Sequence, residues 1–136
     1  MLLIGVDTGV HTGIAVWDSG RKCLLNVSTT NVIRAMFVVL DYRSRYNGDI
    51  TLRIEDARQR KWFGRAGREQ LQGAGSIKRD CQIWETFCEE LGIDAQFIAP
   101  KNNITKLTAE QFNTITGWQG RTTEHSRDAA MLVFGR

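Results

Sequence analysis

A chain of 136 residues, 42% hydrophobic and with a single proline, is expected to form one domain that buries about two-thirds of its unfolded surface, not a disordered or low-complexity chain. No apolar run reaches the roughly 20 residues that span a bilayer, and the opening Met-Leu-Leu-Ile-Gly-Val-Asp has neither a basic region nor a cleavage site, so neither a membrane span nor a signal peptide is expected. The net charge is a modest +3, and three cysteines without CxxC spacing (Cys23, Cys81, Cys88) point to reduced thiols in a cytoplasmic protein, not to disulfides or a zinc site.

The first thirty residues read as three strands, LLIGVD, GIAVWD and KCLLNVST. They are separated by turns at Thr8–Thr12 and Ser19-Gly20, for which Gly9, Gly13 and Gly20 are expected to supply positive φ. Asn31 to Tyr46 reads as a helix capped by Asn31, with Ile33, Phe37 and Leu40 on its apolar face. Asn47-Gly48-Asp49 ends it, and Thr51–Glu55 is a fourth strand, parallel to the first because a helix connects to it. Ser76 to Leu91 carries Ile77, Cys81, Trp84, Cys88 and Leu91 at helical spacing, with Gly92 as its stop. AQFIAP is a fifth strand. Thr108-Ala-Glu-Gln111 is a capping box opening a short helix through Ile115, Gly117–Thr123 is a loop, and Glu124 to Phe134 is the closing helix. The order βββαβαβαα, without repeat or linker, predicts one α/β domain with a mixed sheet over residues 1–136.

Between the fourth strand and the next helix the chain reads RQRKWFGRAGR, five basic residues with no acid and two aromatics. Arg58, Arg60, Lys61, Arg65 and Arg68 suit phosphates, and Trp62 and Phe63 suit stacking on unpaired bases. The same run also fits a solvated loop whose two rings fold back on the core.

A charge at the tip of a buried strand is costly unless something pairs with it. Asp7 ends the first strand and Glu55 the fourth, so their carboxylates are expected at one sheet edge, where open α/β sheets place ligands. Glu55 is preferred to Asp56 because its parity matches that of Asp7. In the last helix His125 and Asp128 are three apart and share a face, which Glu124 can join. Singly, each has an ordinary reading: Asp7 as a turn former, His125 as a surface residue, His11 as part of a hairpin turn. Together, Asp7, Glu55, His125 and Asp128 would form a divalent-metal site, and without metal one carboxylate would have to protonate.

Three pieces of sequence carry a resemblance to a family: Asp7-Thr-Gly-Val-His-Thr-Gly13, Ile54-Glu55, and His125-Ser-Arg-Asp128-Ala129-Ala130. This ordered set resembles the RuvC-type Holliday junction resolvases of the ribonuclease H-like superfamily over nearly the whole chain. The chain is shorter than the usual bacterial member, which suggests a trimmed, phage-type one, and many members carry Asp where His125 stands.

The resemblance implies a ribonuclease H-like fold, a mixed five-stranded sheet flanked by helices. It implies an endonuclease that resolves four-way DNA junctions by paired nicks through two-metal hydrolysis, with Mg²⁺ or Mn²⁺ ions about 4 Å apart. Asp7 would bridge both ions, Glu55 would hold one, and Asp128 with His125 the other; the imidazole favours Mn²⁺ at least as much as Mg²⁺. DNA would be held by Arg58, Arg60, Lys61, Arg65 and Arg68, with Trp62 and Phe63 wedged at the junction centre and Lys101 and Lys106 adding contacts. A junction of near two-fold symmetry calls for a homodimer, for which the helices Asn31–Tyr46 and Ser76–Leu91 offer spare apolar faces. Three other readings remain: a related nuclease for flaps, forks or RNA–DNA hybrids, a binder of branched DNA that does not cut, and a nucleotide-binding hairpin at DTGVHTG. The last needs a second domain, so no nucleotide cofactor is expected.

Overall fold

The computed structural model describes residues 1–59 and 68–136, with the backbone alone for residues 68–72 and 74. Five strands form one sheet: β1 (Leu2–Asp7), β2 (Thr12–Asp18), β3 (Cys23–Thr30), β4 (Ile50–Glu55) and β5 (Asp94–Ile98), in the order β3-β2-β1-β4-β5. β1, β2 and β3 form an antiparallel meander, while β4 and β5 run parallel to β1. The helices are α1 (Val32–Arg45), α2 (Arg68–Leu91), α3 (Ala109–Thr116) and α4 (Glu124–Met131), with short 3-10 turns at Ala57–Gln59 and Pro100–Asn102.

β1 is buried along its whole length because helices cover both faces of the sheet. On one face Leu2, Ile4, Val6, Ile14, Val16, Leu52 and Ile54 pack against Ala35 and Val39 of α1 and Trp84 and Cys88 of α2. On the other, Leu3, Ala15, Trp17 and Val27 pack against Phe112 of α3 and the stretch from Ala129 to Val133. Alternation along each strand feeds the two layers in turn, as expected for a central strand carrying a near-continuous apolar run.

The expected elements are present, with four differences. α1 buries Ala35 and Val39, while Ile33 and Phe37 are each 63% exposed; nearly every position from Val32 to Leu40 is apolar, so periodicity does not single out one stripe, and small Ala35 lets the helix approach the sheet. α2 begins at Arg68, not Ser76, and runs through Gly73 and Gly75, whose helical cost of about 1 kcal/mol each does not stop it. α4 ends at Met131, and the chain continues to Phe134 in tight turns. Of the three turn glycines only Gly9 has positive φ (144°), and the left-handed residue before β3 is Lys22 (φ 54°).

Gly13 has a different task. A Cβ there would lie 2.0 Å from the carbonyl oxygen of His125, and one at Gly5 would lie 2.1 Å from that of Ala129. Two glycines on neighbouring strands thus open a groove into which the backbone of α4 settles, and that seating sets where its polar side chains fall.

Candidate metal centre

Asp7 pairs with Gly13 at the end of β1, and Glu55 pairs with Ile98 at the end of the parallel strand β4, so both carboxylates leave the sheet at one edge. α4 starts beside that edge. Its N-terminus is fixed by a capping box between Thr123 and Ser126, and its backbone sits against Gly13 and Gly5, which places Asp128 over the strand ends. One oxygen from each of Asp7, Glu55 and Asp128 lies within 4.8 Å of the others. The three residues are 8%, 3% and 8% exposed.

Burial pushes the Asp128 carboxyl above the usual carboxylate range. The Lys106 backbone N–H opposes that rise, Glu55 and Glu124 add to it, and His125 offsets part of it. The clustered carboxylate oxygens are the donors that Mg²⁺ and Mn²⁺ take. The residues present therefore fit a divalent metal.

His125 touches the centre through Asp7: its Nδ1 lies 3.0 Å from Asp7 Oδ2, and its side chain is about half exposed. Glu124 is exposed and acts on Asp128 through its charge. Asp56 points elsewhere, as alternation predicts. Arg58 Nε donates to Asp56 Oδ1 at 2.7 Å, and Arg58 Nη2 donates to Asp56 Oδ2 at 3.0 Å and to Glu85 Oε1 at 2.6 Å. The guanidinium also lies over the Phe97 ring, 5.3 Å from its centroid. Arg58, first of the basic run, thus joins Asp56 to α2 and β5.

Arg60, Lys61, Trp62, Phe63 and Arg65 lie outside the described residues, and Arg68 opens α2 with its side chain not described. Lys101 and Lys106 are exposed on the connection from β5 to α3. Lys106 reaches the centre by an unexpected route: its backbone N–H donates to Asp128 Oδ1 at 3.0 Å. Asn103 Nδ2 donates to the Asp128 carbonyl at 3.0 Å. His11, read from sequence as a turn residue, stacks on His125 with ring centroids 6.0 Å apart. No local pattern marks Asn103 or the Lys106 backbone; for His11 the only signal was its place inside the glycine-rich turn after Asp7.

No family model and no curated relative matches the sequence. Among solved structures the chain is similar to T. thermophilus RuvC in complex with Holliday junction substrate, with a TM-score of 0.59 and 17% identity over 97% of this chain and 90% of that one. The chain therefore has the ribonuclease H-like α/β fold, a mixed five-stranded sheet flanked by helices, with three acidic residues gathered at one edge of the sheet.

Proposed function

We propose that this chain is one nuclease domain, a metal-dependent endonuclease that resolves four-way DNA junctions by paired, symmetric nicks. The observation that carries the proposal is the meeting of Asp7, Glu55 and Asp128 within 4.8 Å at the sheet edge, in a fold shared with a RuvC bound to a junction. Asp7, Glu55 and Asp128 would hold two Mg²⁺ or Mn²⁺ ions, with His125 hydrogen-bonded to Asp7 beside them. Bound there, the ions would supply an activated water and offset charge on the scissile phosphate.

The protein's own part is to bring the phosphate to that edge and keep it there. Arg60, Lys61, Arg65 and Arg68 follow Glu55 closely, so DNA held by them would lie across the carboxylates, with Lys101 and Lys106 approaching from the β5–α3 side and Trp62 and Phe63 available to stack where base pairs are open. Two nicks on opposed strands call for two copies of the chain about a two-fold axis. Among the described residues no helix is long and apolar enough to cross a membrane, and three free cysteines fit a reducing cytoplasm.

The test is to incubate the protein with a synthetic mobile four-way junction, a flap and an RNA–DNA hybrid, with each metal, and map the cuts. Symmetric nicks in the junction, in Mn²⁺ at least as fast as in Mg²⁺ and lost in Asp7→Asn while binding persists, are the expected result. Cuts confined to flap or hybrid would replace the substrate, and binding without any cut would remove the nuclease reading.

A further inference from the structure

We infer that the loop joining β5 to α3 is a clamp on Asp128, with Asn103 and Lys106 as positioning residues for the carboxylate centre. The inference rests on reading Asp128 as a metal ligand.

Among the described residues only Lys22 and Lys106 combine a side chain with positive φ. Lys22 lies in the turn between β2 and β3. Lys106 (φ 61°) lies in the connection between β5 and α3, and a left-handed residue bearing a Cβ is strained and persists where its surroundings over-determine it. The N–H of this residue donates to Asp128 Oδ1 at 3.0 Å. Two further bonds hold the same stretch. Asn103 Nδ2 donates to the Asp128 carbonyl at 3.0 Å, and Arg127 Nε donates back to the Leu107 carbonyl at 2.7 Å. The Arg127 guanidinium is itself held by the Thr122 hydroxyl at 2.9 Å.

α4 is therefore gripped from two sides. Gly5 and Gly13 seat its backbone on the sheet, and the loop holds it from the other side at two consecutive residues, 127 and 128. Like charge from Glu55 disfavours the ionised Asp128 carboxylate. The Lys106 main-chain donor neither titrates nor changes rotamer, and it occupies one lone pair of the carboxylate, leaving the others for a cation. Partners that orient a metal ligand in this way typically govern affinity by about 10- to 100-fold.

The test is Mn²⁺ titration by calorimetry, without DNA, of the full chain and its variants. Asn103→Ala is expected to weaken Mn²⁺ binding about tenfold. Lys106→Gly, which adopts the left-handed backbone freely and keeps the N–H, is expected to retain wild-type affinity. In an Asp128→Asn background Asn103→Ala is expected to weaken binding no further, whereas a merely structural role would lower it again. Unchanged affinity in Asn103→Ala overturns the clamp, and a loss in Lys106→Gly as large as that in Asn103→Ala overturns the main-chain assignment. Amide hydrogen exchange gives a readout independent of metal: the Lys106 N–H should exchange slowly in the wild type and faster in Asp128→Ala. If the wild type takes up no Mn²⁺, the metal reading fails while this exchange result still decides the clamp, and a Lys106 amide unprotected in the wild type sinks it.

Discussion

The carbonyl oxygen of His125 occupies the space where a side chain at Gly13 would begin, so a Cβ there would lie 2.0 Å from it. Backbone, not a flexible side chain, stands in the way, and the helix would have to move off the sheet. Gly13→Ala is expected to destabilise the fold by about 3 kcal/mol, lowering the melting temperature by on the order of 10 °C, and to separate Asp128 from Asp7. Gly75→Ala is the contrast. In α2 a Cβ at Gly75 meets nothing within 4 Å, so that change should raise stability by about 0.5–1 kcal/mol. Thermal melts of the two variants check both signs.

What could be read from the sequence follows from how local each cause is. Asp7 and Glu55 end apolar strands, and the two-residue period together with a helical crossover places both at one edge, so a pattern within six residues of each sufficed. His125 and Asp128 share a helix face by spacing alone. Gly13 was legible as a turn glycine, but its reason is a helix more than a hundred residues later. Arg58 looked like the first of a basic run, yet Glu85 and Phe97, which hold it, come from α2 and β5. Periodicity does not identify the buried face of α1, because its sequence is apolar almost all round and tertiary packing selects Ala35 and Val39 over Ile33 and Phe37. Asn103 and Lys106 carry no pattern, since their partner is a residue that only the folded chain brings near.

The placement of Arg58 separates two roles that its sequence context merges. Burial pushes the Asp56 carboxyl up, but side-chain hydrogen bonds from Arg58 and Gln59 outweigh it and hold the group below the usual range. Removing the guanidinium leaves a buried carboxylate without its main partner. Discounted for the 27% exposure of Arg58, Arg58→Ala should cost about 2 kcal/mol of stability. In DNA binding, each phosphate contact adds about 0.9 to the slope of log K against log salt. Arg60→Ala and Lys61→Ala should each lower that slope by about this amount, while Arg58→Ala leaves it unchanged. A slope that falls equally in Arg58→Ala would show its guanidinium on the DNA and not on Asp56.

Cys88 gives a pH dependence with a defined sign. Burial, with a smaller push from Glu89, raises its thiol from 9.0 to about 11. The folded state therefore keeps the proton over a range in which the unfolded chain gives it up, and stability falls as pH rises. The contribution is intact below about pH 9.0, the unfolded value, and is lost progressively as pH climbs through the folded value of about 11. Urea melts at pH 7.5 and 10.5 should show a smaller alkaline loss in Cys88→Ala than in the wild type, although Cys88→Ala starts lower because of the space it leaves. An equal alkaline loss in both would place the titration on another group.

His11 and His125 form the outer wall of the carboxylate centre. His125 Nδ1 lies 3.0 Å from Asp7 Oδ2, so in the neutral ring the proton belongs on Nδ1 and the lone pair on Nε2, turned away from Asp7. One hydrogen bond fixes a point on a half-exposed ring but not its plane. The His11 ring stacks beside it, with centroids 6.0 Å apart and 29° between the planes, a contact of the kind worth about 0.5–1.5 kcal/mol. His11→Ala removes that wall, while His11→Phe keeps a ring of similar size without ring nitrogens. Nitrogen chemical shifts of His125 should stay at the Nδ1–H tautomer in the wild type and in His11→Phe, and move towards a mixture in His11→Ala. Nuclease rates should follow the same order, reduced several-fold in His11→Ala and retained in His11→Phe. If His11→Phe loses activity while the His125 tautomer is kept, the His11 nitrogens act on the substrate directly; if neither quantity changes in His11→Ala, the Asp7 hydrogen bond alone holds His125.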